Sequence, residues 1–467
     1  MGQKIIFFFI FLLAAALRGS LLFRQELIPG VNGGYYPLQV RSLLENGRLG
    51  FADMPLYFWF NAFWVKVLAV FSATPAESWI IPVVKTVDSL FLPLLLIPLY
   101  FIGRELRPPD KPGLFRDAAV AVFAAASPWP LMFTGDLQKN AFAIPFFFAF
   151  VFFGLKHLRQ PSRRWLVAGL SSLALTALSH FGVFAVAALA LGLGLFFYAP
   201  RRALLPMAAL AVLSTGVVAL FDPGRALRLL TVAAELFRRP ALLGPLGPPE
   251  LLGYLFSWLL LGLGGYVWYK HKAKLDGVER VALPALLTLI FLLSFPLING
   301  DYARRFMLML FVPQAVLCLL LFPRMPAKAA NVLSVGLITV CLAFSPGVLH
   351  FKEPVISQAA FNDLEGLNAQ LHLNKNSLVI ARHGLEWWAG WALHCKTGNE
   401  KGVDEETAGK YRQVLFLHQK KGQESSGPMA ADNHPGFREP EPPFGEMEEV
   451  VDSEFFRVYV WKYSPGR

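Results

Sequence analysis

Apolar positions fall in long blocks as far as about residue 348, and then the pattern changes. The blocks cover 4–23, 79–103, 118–133, 140–157, 164–179, 182–198, 203–221, 251–269, 281–298, 306–322 and 329–348. A helix of ~20 apolar residues crosses a bilayer, so the pattern predicts about eleven transmembrane helices, some of them short. The run 55–71 differs, because Asn61 and Lys66 break it and it falls short of a comfortable span. Before it lies a short amphipathic stretch, with Val40, Leu43 and Leu44 on one side and Arg41 and Glu45 on the other. Asn46-Gly47 then supplies a helix stop. A second amphipathic section, RALRLLTVAAELFRR at 225–239, precedes the breaker GPLGPPE and reads as a helix lying on the surface.

From Phe351 onward charge rises and long apolar runs cease. A helical pattern over 356–371 precedes a strand at 377–382, a helix at 386–393, and strands at 413–418 and 455–463. A polar linker around Gly422–Gly427 separates the last two strands. The expected fold class is therefore mainly α: a polytopic membrane domain over 1–349, with interfacial helices in a first outer loop at 24–78. A small C-terminal α/β domain follows over 350–467. No internal repeat or pair of broken helices is evident, which argues against a transporter.

Composition agrees with this reading. Of 467 residues, 55% are hydrophobic and 16% charged, against about a quarter charged in soluble domains. The net charge of +11 does not point to nucleic acid, because the cations sit in short loops between apolar blocks. With 55–71 lying along the interface, Lys4 and the basic loops at 104–116, 156–164, 201–202, 270–280 and 324–328 all fall on one side. The positive-inside rule then makes the N-terminus cytoplasmic and the C-terminal domain extracytoplasmic, with Trp59 and Trp64 as interface anchors. The first block is long and lacks a small-x-small cleavage site, so it reads as a retained helix. Three cysteines imply no disulfide framework.

The predicted outer loops hold a short set of ionisable groups. Asp53, in FADMPLYFW, reads either as an N-cap for a helix starting near Pro55 or as a carboxylate facing substrate. Asp136 and Lys139, in TGDLQKNA, admit the same two readings. A cation in the first turn of a helix opposes the macrodipole, so Lys139 makes better sense beside Asp136 or beside an anionic ligand. Arg304 and Arg305 start another helix, and suit either phosphate oxygens or lipid headgroups. His180 marks a tight helical hairpin and reads as structural or as a ligand contact. Lys85 and Asp88, at i and i+3 inside an apolar run, read as a local pair. The sequence shows no Walker loop, dinucleotide fingerprint, metal-type Cys/His cluster or Gly-x-Ser-x-Gly.

Asn32-Gly-Gly-Tyr35-Tyr36 followed by Asp53-Met-Pro55-Leu56-Tyr57-Phe58-Trp59 resembles the first outer loop of GT-C-type membrane glycosyltransferases. The similarity is to the protein O-mannosyltransferases and the lipid A aminoarabinose transferases, and GDLQKNA resembles their second outer loop. It covers the topology of roughly residues 1–350. The resemblance implies a sugar carried on polyprenyl phosphate, moved with inversion to a lipid, glycan or protein acceptor outside the cytoplasm of a bacterial inner membrane. Placement on the predicted outer face makes Asp53 and Asp136 the candidate base or acceptor-orienting carboxylates, and Lys139, His180, Arg304 and Arg305, with Asn32, Tyr35 and Tyr36 of the resembling stretch, candidate substrate contacts. The resemblance leaves open a divalent cation, Mg or Mn. One departure stands out: Asn32 occupies the place of the family's principal carboxylate, and an amide is no general base. Glu386-Trp387-Trp388 has a fainter likeness to the acceptor-reading Trp-Trp-Asp of oligosaccharyltransferases. The alternative is a non-catalytic lipid-linked-glycan transporter, or a membrane assembly protein that docks a partner.

Overall fold

The structure, a computed structural model, describes residues 2–107, 113–199, 215–224, 248–298, 300–374, 376–400, 405–420 and 447–461, with a few single positions between them. Among these, seven helices are long and apolar enough to cross a membrane: 2–23, 76–106, 138–159, 181–198, 251–274, 302–324 and 327–351. The chain is mainly helical, with a small sheet at its C-terminal end. The helices are α1 (Gly2–Phe23), α2 (Tyr35–Asn46), α3 (Leu56–Ser72), α4 (Ala76–Phe91), α5 (Leu96–Leu106), α6 (Leu114–Ala126) and α7 (Pro128–Met132). They continue with α8 (Gln138–Arg159), α9 (Arg163–Ser179), α10 (Phe181–Tyr198), α11 (Pro248–His271), α12 (Gly277–Leu293), α13 (Gly300–Met309), α14 (Phe311–Leu321) and α15 (Ala327–Phe351).

Three expected spans take a different form. The run 118–133 is two helices, α6 and α7, because the chain extends at Ser127 and Pro128 restarts it. Helices α9 and α12 are 17 residues each, at the short edge of what crosses a bilayer. Most of the 203–221 run and of the surface section 225–239 lies outside the described residues, as does the linker at 422–427. The span 302–324, built from α13 and α14, is the most buried and runs through the centre of the helical core.

Helix α3 has two apolar faces. Tyr57, Phe58, Asn61, Ala62 and Val65 are buried, while Trp59, Phe63, Trp64 and Phe71 are exposed. A 17-residue helix with protein on one side and bare aromatic surface on the other suits the edge of a bilayer. Asn61, the polar break in the run, donates to the Tyr57 carbonyl at 2.7 Å. Helix α2 stops where Asn46-Gly47 predicted, with Gly47 left-handed and its N–H on the Leu43 carbonyl.

The C-terminal part adds α16 (Gln358–Leu371), β1 (Ser377–Ala381), α17 (Leu385–Leu393), β2 (Lys396–Asn399), α18 (Glu405–Ala408), β3 (Gln413–Gln419), β4 (Met447–Asp452) and β5 (Phe456–Trp461). The sheet order is β2-β1-β3-β5-β4. Strands β2 and β3 flank β1 in parallel, and β5 joins β3 and β4 antiparallel.

The second hydrophobic core does not stop at the membrane domain. It joins Tyr36, Val40, Tyr57 and Phe58 from the first outer loop, and Val84 from α4, to Phe361, Trp388 and Phe456 beyond residue 350. Arg41, expected on a polar face, is buried in this seam. Its guanidinium donates to the carbonyls of Gly390 and Trp391 and lies 4.7 Å from the Trp391 ring. Those carbonyls end α17, where a cation meets the negative pole of the helix.

Candidate active site

Helix α2 sets the first wall of the site. Tyr35 and Tyr36 open it, and Tyr35 hydrogen-bonds through its hydroxyl to the Asp53 carboxylate. Burial, reinforced by that carboxylate, pushes the Tyr35 phenol well above its ordinary value, so it remains a donor. Gln39, one turn along α2, braces the arrangement. Its amide nitrogen donates to the Tyr35 hydroxyl and to the Phe51 carbonyl at 2.9 Å each, and its oxygen accepts from the Phe51 N–H at 3.0 Å.

Asp53 does not cap α3, because Pro55 precedes that helix without any side-chain cap. One carboxylate oxygen accepts from the Met54 N–H at 2.8 Å. The other takes both Tyr35 and the ammonium of Lys139, the second residue of α8. Asp53 and Lys139 are both buried. The Lys139 ammonium also lies 5.3 Å from the Tyr35 ring and 5.7 Å from that of Phe58. The sequence offered two readings for Lys139, beside Asp136 or beside an anionic ligand; in the structure its ammonium meets the Asp53 carboxylate.

Asp136 has other partners. Its Oδ1 accepts from the Asn32 backbone N–H at 2.8 Å and from the Asn32 amide at 3.0 Å. Nor does it cap α8, whose N-cap is Leu137. Tyr36 donates to the Asp136 carbonyl at 2.8 Å and accepts from the Gln138 N–H at 3.0 Å. Tyr57 hydrogen-bonds to the Gln138 side chain. The loop is tightly built: Gly135 is at φ +79 and Gly30 at φ +93, and a side chain at either would collide with the other strand of the crossing.

A fully buried ion pair pins this loop from below. Arg18 meets Asp88 at 2.5 Å and donates to the Pro130 carbonyl at 2.8 Å, while the other Asp88 oxygen accepts from the Gly135 N–H at 2.7 Å. Lys85 and Asp88 therefore form no local pair. Lys85 donates to the carbonyls of Gln25 and Glu26 at 2.6 and 2.7 Å. Lys352, just past α15, donates to the carbonyls of Met132 and Thr134 at 2.5 and 2.6 Å.

Two other expected contacts lie at the margin. His180 caps α10, its Nδ1 accepting from the Val183 N–H at 3.2 Å. The adjacent Phe181 packs on the cluster of Met54, Val218 and Ala226, so the hairpin borders the Asp53 segment. Arg304 and Arg305 are exposed on α13, a helix that packs on α7 just ahead of the Asp136 loop. The C-terminal domain completes the rim: the Trp387 ring lies 5.0 Å from both Tyr35 and Phe51. Beside it, His383 Nδ1 meets the buried Glu386 carboxylate at 2.9 Å. Among the described residues no group of three or more His, Cys, Asp or Glu is placed to hold a metal ion.

No protein-family model matches the chain, and no curated protein matches it. Solved structures do. ArnT from Cupriavidus metallidurans bound to undecaprenyl phosphate superposes with a TM-score of 0.56 at 12% identity, covering 98% of this chain and 98% of that one. The chain has the ArnT fold. ArnT from the same organism in the apo state gives a TM-score of 0.56 at 11% identity, again over 98% of both chains. The likeness read from residues 32–59 to lipid A aminoarabinose transferases therefore holds for the fold, and extends through the C-terminal domain. With seven long apolar helices among the described residues and the ArnT fold, the protein is integral to a membrane.

Sequence reasoning found Asp53, Asp136, Lys139, Asn32 and the two tyrosines but missed their supports. Gln39 and Arg18 carry no motif, whereas Gln138, Tyr57 and Trp387 stood inside GDLQKNA, the Asp53–Trp59 stretch and Glu386-Trp387-Trp388 with no supporting role assigned. For Arg18 another signal existed, since an arginine inside an apolar span needs a buried partner.

Proposed function

We propose that the protein is a GT-C-type membrane glycosyltransferase. It takes a sugar from a polyprenyl-phosphate carrier and transfers it to an extracytoplasmic lipid, glycan or protein acceptor. The observation that carries this reading is the meeting of Asp53, Lys139 and Tyr35 at one point of the ArnT fold. Solved ArnT binds undecaprenyl phosphate, which supports a donor of that class here.

In the proposed reaction the acceptor oxygen attacks the anomeric carbon as the bond from that carbon to the phosphate oxygen breaks. The acceptor proton passes to Asp53, and the leaving polyprenyl phosphate carries away the bonding electrons. Attack opposite the leaving group inverts the anomeric centre. Lys139 would grip the phosphate, and that grip would draw it off Asp53, releasing the carboxylate for proton transfer. Tyr35, held as a donor, would orient Asp53. Asp136, occupied on one oxygen by Asn32, would position the loop and meet the donor with its other oxygen. Arg304 and Arg305 would attract the carrier phosphate from α13. The steps use no divalent cation.

A transporter would be expected to line a path at mid-membrane with ionisable groups. The buried Arg18–Asp88 pair is instead spent on holding the Asp136 loop. The test is release of undecaprenyl phosphate from an undecaprenyl-phosphate-linked sugar by the purified protein in mixed membrane lipid. Wild type should release it. Full activity in equally expressed Asp53→Asn and Lys139→Gln proteins would remove the assignment.

A further inference from the structure

A cavity lies toward the other end of α8 from Lys139. It has a volume of about 370 Å³ and is bounded by α8, α9, α10, α12 and a residue of α14, with an almost wholly apolar lining. On α8 it runs from Phe150 to Leu158. At 1.5 Å per residue that is ~17 to ~28 Å along the helix from Lys139, so it belongs to the opposite leaflet from the Asp53 site.

The cavity is made by omission. Gly154, Gly169 and Gly194, on three different helices, all line it. A side chain at Gly154 or Gly194 would meet nothing within 4 Å, and one at Gly169 only ordinary contact. Glycine inside a helix costs roughly 0.5–1 kcal/mol against alanine, so open space is bought here at the expense of helix stability.

One polar group breaks the apolar lining. Trp165 lines the cavity, and its indole N–H is buried without an acceptor among the described residues. Indole nitrogen only donates, so the missing partner is an oxygen acceptor. The rim beside it is cationic. Lys156 and Arg159 are engaged by Glu105 and Asp276, whereas Arg163 and Arg164 are exposed, with Arg164 4.6 Å from the Trp165 ring. His157 also stands at this rim, its Nδ1 against the Ser162 backbone.

We propose that this cavity is a binding site for one acyl chain of an anionic glycerophospholipid of the opposite leaflet. The chain fills the space left by the glycines. Its ester carbonyl accepts from Trp165, and its headgroup phosphate lies against Arg163 and Arg164. The site is separate from the catalytic centre and stands whether or not the transferase reading holds.

Native mass spectrometry of the full chain, delipidated and then offered phosphatidylglycerol or phosphatidylcholine, tests it. Wild type retains phosphatidylglycerol at least tenfold better than phosphatidylcholine. Gly154→Leu and Gly194→Leu lose that retention at an unchanged melting temperature. Gly336→Leu, at an equally open position on α15 outside the cavity, keeps it. Arg163→Gln with Arg164→Gln abolishes the preference for the anionic lipid. Equal retention of the two lipids by wild type, or retention by the filled variants, overturns the proposal. If a leucine variant does not fold, bromine-labelled phosphatidylglycerol decides. It quenches wild-type fluorescence more than that of Trp165→Phe, and equal quenching overturns the site.

Discussion

Asp53 and Asp136 flank the same corner of the molecule on opposite kinds of partner. Asp53 is held by an ammonium and a phenol; Asp136 is held by the backbone and side-chain N–H groups of Asn32. The first arrangement is an ion pair that an incoming phosphate can open, since phosphate competes for the same cation. The second is a pair of N–H donations from one residue of the chain, one of them from the backbone, which holds the carboxylate without a cation that an incoming phosphate could draw away. Under the proposed reaction, the comparison fits Asp53 to the reacting role and Asp136 to a framing one. It also gives the Asn32 departure a physical meaning. A carboxylate at position 32 would face Asp136 at about 3 Å, and two such anions cannot both stay ionised without a further cation.

The largest effect should come from Asp53. If it accepts the proton, Asp53→Asn lowers turnover by about 10²–10⁴-fold while binding of undecaprenyl phosphate persists. Lys139→Met should weaken that binding, and should also destabilise the fold by about 3–5 kcal/mol because it removes the cation from the buried Asp53 carboxylate. Combining Lys139→Met with Asp53→Asn should recover much of the stability but none of the turnover. Thermal unfolding and product release, measured on all three proteins, separate the two roles. A double variant no more stable than Lys139→Met would show that the pair is not what holds this corner.

How far this could be read from the sequence depended on the range of the interaction. Lys139 was legible as misplaced, because a cation in the first turn of α8 opposes the dipole, but its partner lies 86 positions away. Local spacing suggested Asp88 for Lys85 and offered Asp136 as one of two partners for Lys139, while the structure carries both cations to residues distant in the chain. In a helical membrane protein the buried charges reach across helices, as Arg18 does over 70 positions. The apolar blocks placed most helices, since length and hydropathy are local properties. They did not see the break at Ser127–Pro128 inside an otherwise continuous run. In the C-terminal domain the central strands β1, β3 and β5 were legible from their apolar content. The edge strands β2 (KTGN) and β4 (MEEVVD) were not, because edges carry charge and polar groups to resist further pairing.

Position 32 sharpens the contrast at smaller cost. Asn32→Ala removes one of the two donors to Asp136 and should destabilise by about 1–3 kcal/mol, with a several-fold loss of turnover through the loosened loop. Asn32→Asp restores the carboxylate that the resemblance led one to expect, yet should be worse than alanine at pH 8. It should improve as the pH falls and one of the paired carboxyls takes up a proton. Turnover that rises in Asn32→Asp at pH 8 would reverse the roles given to the two carboxylates.

The smallest expected effect tests the framing side through Lys352, which supports the Met132 and Thr134 carbonyls beneath Asp136. Burial pushes Lys352 down from 10.5 to about 8, against the pull of Asp136 and Asp88 in the other direction. Between those two values the unfolded chain holds a proton that the folded chain has released, so folded stability rises with pH across that window. Below about pH 8 both forms are protonated, and the whole cost of burying the ammonium is present. The stability of wild type relative to Lys352→Met should therefore increase from pH 8 to pH 10, read as a difference in melting temperature. The corresponding difference for Gln39→Met, which removes a brace of Asp53 with no titrating group, should stay flat. A flat Lys352 comparison would mean that the ammonium is solvated and that the Asp136 loop rests on Arg18 and Asp88 alone.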